Sequence, residues 1–571
     1  MSTSLPEPLD GAGFSSEQKE YLTGMFAGIA ARGMRFSDVE PAPGAVAKNE
    51  DLIFEERVKR ELHPLDAYPQ LVENAIGNKA PDKEDAFRFK WNGLFFLTPV
   101  KDSFMARLRI PGGVVKTFQL RQLGRIAQEL TTGYVQITTR ANFQMRLIQP
   151  KDAPEFLRRV QCIGLHTRGS GADNIRNLTA NPTAGIDPVE LIDVLPFVHD
   201  LAQIIINDRS FYDLPRKFNI AYDGGGFIGA VEDTNDIGVK AVKVGEEVLF
   251  RVALGGATGH KAFARDLGVV VQPAQINKVV TAIVRVFIER GCRTDRKRAR
   301  LKHLLETVPL TEYLALVENK LGEQLRREPY EPAKLRWASQ ELPHSHIGDF
   351  PQKQIGLNYV GVGLPVGQIT PKQMIRLADL VEAHGGDEIR LTVWQNFIIP
   401  NVPDEAVPEL KRALEKLEFS TRQSNVASGI IACTGNSYCK FAQSDTKGHA
   451  LELMKWLEKR VQLDQPINIH LTGCPNSCAQ HYMGDIGCLG IKTKVGGQSV
   501  DGYHIFVGGG FAGHQAVGRQ LFSGVAAGDL PRTLETMLRA FLKHRQGRET
   551  FQKFTTRQSV NELQVVFTNQ S

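Results

Sequence analysis

Four of the seven cysteines in this chain fall close together, in the pattern Cys433-x5-Cys439 and then Cys474-x3-Cys478. Four thiolates at such spacings suit a zinc ion or an iron–sulfur cluster. Structural zinc favours roughly two to four residues between paired cysteines, so the wider first gap fits zinc less well. Buried thiols holding no metal are the plain alternative. Seven cysteines in 571 residues do not make a disulfide framework. Clustering of this kind points instead to thiols kept available as ligands.

The flanks sharpen the choice. "ACTGNSYC" and "TGCPNSC" place small and turn-forming residues between the thiols. Gly473 and Pro475 let the backbone wrap closely round a bulky group, and Pro475 removes one amide donor. Free backbone N–H groups nearby can donate to cluster sulfurs and set their potential. "CTGNSYC" followed by "GCPNSC" resembles the signature of the sirohaem-dependent nitrite and sulfite reductases, closest on its nitrite-reducing, ferredoxin-dependent side. The likeness runs from about Phe87 to the C-terminus. It implies a [4Fe–4S] cluster on Cys433, Cys439, Cys474 and Cys478, with the Cys478 sulfur shared as axial ligand of the sirohaem iron and Asn476 beside the macrocycle. Cys162, Cys292 and Cys488 sit in apolar segments and read as core.

Sirohaem carries eight carboxylates and the substrate is itself an anion, so such a site needs Arg and Lys donors. Four stretches match the family's motifs: "ARLRIPGG", "TTRANFQ", "DNIRN" and "LPRKFN". By resemblance, Arg107, Arg176, Lys217 and Asn219 line the open face of the macrocycle. Arg140, Gln144 and Arg216 are implied partners of its carboxylates. The run "RTDRKRARLKH" adds Arg296, Arg300 and Lys302 as weaker candidates. The sulfite-reducing relatives resemble "RKFK" where this chain reads "RKFN". A neutral amide at Asn219 suits nitrite, whereas an extra cation suits the more highly charged sulfite. The implied activity is assimilatory, ferredoxin-dependent, six-electron reduction of nitrite to ammonia; the alternative is the corresponding reduction of sulfite to sulfide.

These residues must be positioned by larger elements, and the sequence repeats itself. A single offset of 254 positions lays Pro111, Gly113, Gln119 and Leu123 on Pro365, Gly367, Gln373 and Leu377, and Thr138, Asn142 and Phe143 on Thr392, Asn396 and Phe397. The same offset lays "GGATGH" on "GGFAGH". Each copy reads strand, helix, strand, then a longer α/β stretch ending at a Gly-rich turn. The fold class is therefore α+β: a duplicated pseudo-twofold repeat, with ferredoxin-like half-domains and two α/β domains for sirohaem and cluster, and a cleft between the copies. With a small adjustment, "LPRKFN" is expected to occupy in the first copy the place that "LTGCPN" holds in the second. The expected organisation is an N-terminal extension over 1–85, half-domain 1 over 86–150, a sirohaem and substrate domain over 151–326, a linker over 327–356, half-domain 2 over 357–403 and a cluster domain over 404–571. The Gly-rich turns lack a Walker lysine and are not nucleotide loops.

Composition bounds the rest. No apolar run approaches membrane-spanning length, and the acidic N-terminus reads as neither signal nor transit peptide, so a cytoplasmic location is expected. A net charge of +6 suits an acidic protein partner. Scattered basic residues without an aromatic-interleaved tail argue against nucleic acid. No stretch resembles a flavin or nicotinamide domain, so electrons are expected from a separate carrier, reduced ferredoxin or flavodoxin. A monomer is implied by the family likeness.

Overall fold

The computed structural model describes residues 52–96, 102–131, 133–332 and 346–568. From Val58 onward they form one compact unit, carried by four sheets of five or six strands. Residues 1–51 of the expected N-terminal extension and 333–345 in the middle of the expected linker lie outside the described residues.

Two of the sheets belong to the half-domains. In the first, the order is Leu94–Phe96, Phe104–Arg107, Phe143–Ile148, Val135–Ile137 and then Gln368–Ile369. In the second it is Gly348–Pro351, Leu357–Val362, Phe397–Pro403, Glu388–Leu391 and then Val114–Lys116. Each sheet thus ends on a short strand donated by the other half: Gln368–Ile369 pairs antiparallel with Val135–Ile137, and Val114–Lys116 with Glu388–Leu391. The exchange covers one exposed edge of each sheet with the other half's backbone. A single apolar core serves both, with Leu120, Leu123 and Phe143 buried alongside Leu377, Phe397 and Leu410.

The pseudo-twofold relation holds at atomic detail. Gln119 accepts from the Lys116 amide at 3.0 Å and donates to the Ile163 carbonyl at 3.0 Å. Gln373, 254 positions on, accepts from the Thr370 amide and donates to the Leu417 carbonyl at the same distances. Gly113 (φ +75°) leaves only 2.5 Å between a would-be Cβ and the Leu391 carbonyl oxygen; Gly367 (φ +70°) does the same against Ile137. Both positions need a left-handed backbone and a missing side chain, because there the two halves touch backbone to backbone.

The remaining sheets carry the α/β domains and share one plan. Thr179–Ala180, Ile220–Asp223 and Ile237–Val244 are parallel, and Glu247–Leu254 and Arg265–Val271 follow antiparallel. In the second copy Ile430–Ala432, Ile469–Thr472 and Ile486–Val495 are parallel, and Gln498–Val507 and Arg519–Ala526 follow antiparallel. Continuous apolar runs in the parallel strands fit burial on both faces, and each sheet has its own core.

Three expectations are corrected. "LPRKFN" runs into Ile220–Asp223, whereas "LTGCPN" begins inside the equivalent strand Ile469–Thr472 and leaves it. Their places therefore differ. The strand register aligns "LPRKFN" with "LDQPIN", and the cysteine loop with the glycine-rich "YDGGGF". Asn219 and Asn468 show this directly: their backbone amides donate at 2.8 Å to Asp236 and Asp485, which immediately precede equivalent strands. Second, the half-domain seams lie further out. The helix Ala153–Cys162 buries Phe156, Leu157 and Val160 in the shared half-domain core, and Gly348–Pro351 is a strand of the second half-domain sheet. Third, Cys162 is exposed at the end of its helix and Cys292 is only half-buried, so of the three cysteines read as core only Cys488 is.

Candidate functional site

Cys433 follows Ile430–Ala432 directly and Cys474 comes just after Ile469–Thr472, so both stand at the carboxyl ends of parallel strands, where open α/β sheets place their ligands. The Cys433 amide continues the ladder to the Leu471 carbonyl at 3.0 Å. The Gly473 amide donates to the Cys433 sulfur at 3.2 Å. A Cβ on Gly473 would stand 2.6 Å from the Ala442 Cβ and 3.6 Å from that sulfur, so the residue must be glycine for the loop to close round the thiols. Left-handed backbone at Ser477 (φ +53°) and Gln480 (φ +56°) then turns the chain so that Cys478 is exposed while Cys474 is buried.

The four thiols interact through space. Burial pushes Cys474 up to about 11, with Cys478, Cys433 and Cys439 adding to the rise. Cys433 is likewise raised, first by burial and then by Cys478. Thiols held up in this way would be deprotonated on binding a metal. Among the described residues, no group of three or more His, Cys, Asp or Glu is placed to hold a single metal ion.

The exposed Cys478 faces cations contributed by the first half. Arg107, Arg140 and Lys217 all sense its charge, and Arg176 senses Arg107, Arg216 and Arg300. Arg107, Arg140, Arg176, Arg216 and Lys217 are half-buried, as expected for the walls of a deep cleft, and Arg300 behind them is buried. Arg107 lies over the Phe95 ring at 4.9 Å and donates to the Ser170 carbonyl at 3.4 Å. Arg176 donates to the carbonyls of Ser170 and Ala172, both at 2.7 Å, and leaves its buried Nε unsatisfied. Arg140 donates to the Asn235 amide oxygen, and burial lowers its guanidinium to about 10. Lys217 has no hydrogen bond or ion pair with a described residue. Burial first, and then Arg300, lowers its amine to about 7.

Two buried aspartates brace the cleft. Asp236 is bidentate with Arg300 (3.2 and 2.7 Å) and also takes the Asn219 amide. Asp173 is bidentate with Arg296 (2.5 and 2.9 Å) and lies 3.8 Å from Arg216. Arg296 and Arg300 are thus paired with protein carboxylates, and Lys302 donates to the His260 carbonyl at 3.1 Å with Glu306 at 3.6 Å. Among the described residues, Arg107, Arg140, Arg176 and Lys217 make no ion pair with a carboxylate, although Asp236 lies near enough to act on Arg140 and Asp173 on Arg176. Gln144 is buried opposite Arg107 in the strand pair and accepts from Arg146 at 2.8 Å. Asn476 is exposed, its carbonyl packed on Gly259 of the first copy's Gly-rich turn. Thr139 donates to the Cys478 carbonyl at 2.9 Å, tying the two halves at that cysteine.

Four participants escape a reading by motif: Asp236, Thr139, Arg146 and Lys447. Arg146 is buried, donates to Thr434 beside Cys433 at 2.9 Å and lies 5.2 Å over the Tyr438 ring beside Cys439. Lys447 is buried beneath the same loop. A cation at a strand or helix position normally reads as surface; the sole hint was their nearness in sequence to "TTRANFQ" and to the first cysteine pair.

Buried, uncompensated positive charge is costly unless an anion arrives to offset it. A cleft walled by unpaired cations, with an orphaned Arg176 Nε and an exposed cysteine sulfur among them, fits a polycarboxylate macrocycle ligated by Cys478. Four thiols on one looped shelf fit a [4Fe–4S] cluster. Fold and site together define a redox protein of the kind that joins an iron–sulfur cluster to a tetrapyrrole.

Comparison with known proteins agrees. The family description "Nitrite and sulphite reductase 4Fe-4S domain" matches residues 171–325 and 424–570. "Nitrite/Sulfite reductase ferredoxin-like half domain" matches 99–161 and 350–417. A ferredoxin–nitrite reductase of Synechococcus elongatus is 35% identical over 504 residues, 86% of this chain and 97% of the relative. A chloroplastic ferredoxin–nitrite reductase of Zea mays is 34% identical, over 80% of this chain and 83% of its own. The NirA protein of Mycobacterium tuberculosis superposes with a TM-score of 0.84 at 30% identity, covering 90% of this chain and 97% of that one. The chain belongs to the nitrite and sulphite reductase family, whose members couple sirohaem to a [4Fe–4S] cluster.

Proposed function

We propose that this protein is an assimilatory, ferredoxin-dependent nitrite reductase, reducing nitrite to ammonia with six electrons. The observation that carries the reading is the unpaired Lys217, set with Arg107 and Arg176 in a cleft that opens on Cys478. Cys433, Cys439, Cys474 and Cys478 are the cluster ligands in this reading. Arg140, Gln144, Arg216 and Asn476 hold the macrocycle, with Arg296, Arg300 and Lys302 as the outer cationic rim. When bound, the two groups supply an open iron position and the electrons.

The remaining work falls to protein side chains. Arg107 and Arg176 draw the anion in and hold its oxygens, their own donors fixed by the Ser170 and Ala172 carbonyls. Lys217, lowered to about 7 by burial and Arg300, is poised to give a proton to a departing oxygen and recover it near neutral pH. Asn219 offers a neutral amide beside it, which favours nitrite over the more highly charged sulfite. Its position is set by the bond from its own amide to Asp236.

The carrier is read as ferredoxin from the names of the relatives, and the +6 balance supports an acidic partner that docks briefly for each electron. A reducing compartment, the cytoplasm, suits seven free cysteines. Both halves of the cleft come from one chain, so a monomer suffices. No helix among the described residues is long and apolar enough to cross a membrane.

An absorption spectrum of the purified protein, before and after nitrite, tests this reading. Sirohaem bands that shift on nitrite addition, and faster turnover of nitrite than sulfite with a reduced carrier, are expected. A colourless, zinc-containing preparation would sink it. Cys478→Ser is expected to abolish both chromophores.

A further inference from the structure

The helix Thr446–Glu458 starts one turn below the first cysteine pair, and its second residue is Lys447. That side chain is only 4% exposed. Its amine donates to the carbonyl of Val366, and lies 3.4 Å from that of Ala432, the residue before Cys433. Neither partner is charged. The charged or titratable groups that face it are Cys433, Arg146 and Asp445. Asp445 is occupied as the helix N-cap, accepting the Gly448 amide at 3.2 Å. Arg146 repels it.

Position makes matters worse. A cation in the first turn of a helix opposes the helix dipole, which favours negative charge there. Burial of a lysine without a carboxylate also carries a large desolvation penalty. Three unfavourable conditions therefore meet at one side chain, and the two carbonyls, Cys433 and the already engaged Asp445 offset them only in part: burial still lowers the amine to about 7. A [4Fe–4S] core held by four thiolates would carry net negative charge, and one of those thiols, Cys433, directly follows the Ala432 whose carbonyl the amine approaches.

We propose that Lys447 is the buried counter-ion of the iron–sulfur cluster, offsetting the cluster's charge and so holding its reduction potential up. The inference rests on the reading of the four cysteines as cluster ligands and adds a role for a residue that touches neither substrate nor macrocycle. Reduction adds one negative charge to the cluster; a protonated amine at Lys447 stabilises the reduced form more than the oxidised form. Lys447 is a positioning and tuning residue, and its effect appears in the potential before it appears in turnover.

The test is a redox titration of purified holoprotein, following the reduced cluster by electron paramagnetic resonance, for wild type, Lys447→Met and Lys447→Arg. Iron and acid-labile sulfide are measured on each. Methionine is expected to disfavour reduction at least tenfold, a fall of about 59 mV for a one-electron couple, with arginine restoring most of the loss. A fully loaded Lys447→Met with an unchanged midpoint overturns the proposal. If methionine prevents loading, arginine decides: a loaded cluster near the wild-type midpoint supports the charge argument, and an unloaded one overturns it. Wild-type protein that lacks a cluster would instead overturn the underlying reading of the cysteines.

Discussion

Gly113→Ala and Gly367→Ala should damage the protein to the same degree. At each position the backbone is left-handed (φ +75° and +70°), and a Cβ would sit 2.5 Å from a carbonyl oxygen of the opposite half, Leu391 in one case and Ile137 in the other. A left-handed alanine costs about 1–2 kcal/mol. The overlap forces a backbone shift in a packed contact, which adds about 1–3 kcal/mol. Reduced freedom of the unfolded chain returns about 0.4–1 kcal/mol. The net loss is about 2–4 kcal/mol per substitution. Gly268 supplies the control, because it has φ +76° but nothing within 4 Å of a would-be Cβ. Gly268→Ala should lose only the backbone cost, about 1 kcal/mol after the same return. Thermal unfolding of the holoprotein followed by circular dichroism reads the difference. Unfolding entropy scales with chain length, at about 2.1 cal/mol/K per residue, so a chain of 571 residues shifts by roughly 1 °C per kcal/mol; the paired variants should melt about 2–4 °C lower and the control about 1 °C lower. A Gly113→Ala protein melting no lower than the control, or a wide gap between the two paired variants, would refute the view that the halves meet through equivalent backbone contacts.

Arg300→Met leaves the fully buried Asp236 without its bidentate partner; a loss of about 3–5 kcal/mol is expected, with a raised nitrite KM because Asp236 also holds the Asn219 amide. Burial and the adjacent Glu232 raise Asp233 from 3.8 to about 7. The folded chain therefore keeps a proton that the unfolded chain loses near pH 4, and this group's contribution to stability falls as pH rises from about 4 to about 7. Asp233→Asn should remove that slope, seen as a melting temperature that rises relative to wild type between pH 5 and pH 8. Asn219→Lys should raise the sulfite-to-nitrite ratio of kcat/KM, read in steady-state assays with one reduced carrier; an unchanged ratio would remove Asn219 from the discrimination.

The candidate cluster site came from the fixed spacing that metal ligation demands: Cys433, Cys439, Cys474 and Cys478 were read together, and the cations of "TTRANFQ" and "LPRKFN" followed by likeness. The duplication was legible because Gln119 and Gln373 perform one backbone-capping task twice. The middle of the repeat was not. Loop insertions moved the offset, and only the pairing of Ile220–Asp223 and Ile469–Thr472 with their neighbours shows that the cysteine loop answers to the glycine-rich "YDGGGF". Strands of two and three residues, such as Gln368–Ile369 and Val114–Lys116, leave too little alternation to be seen in sequence. Asp236 and Lys447 were hidden for another reason. A charged residue reads as solvated until its partner is known, and each partner is distant in the chain or is not protein at all. Cys162 erred the other way: an apolar helix also has a wet face.

The traded edge strands have a genetic consequence. A chain severed between Pro332 and His346 would yield two pieces, each with a sheet missing its last ribbon and a core missing half its wall. Neither would make a sound enzyme by itself, but each carries what the other lacks. Mixing them is fragment complementation of a design already written into the topology, and return of colour on mixing would report it by eye.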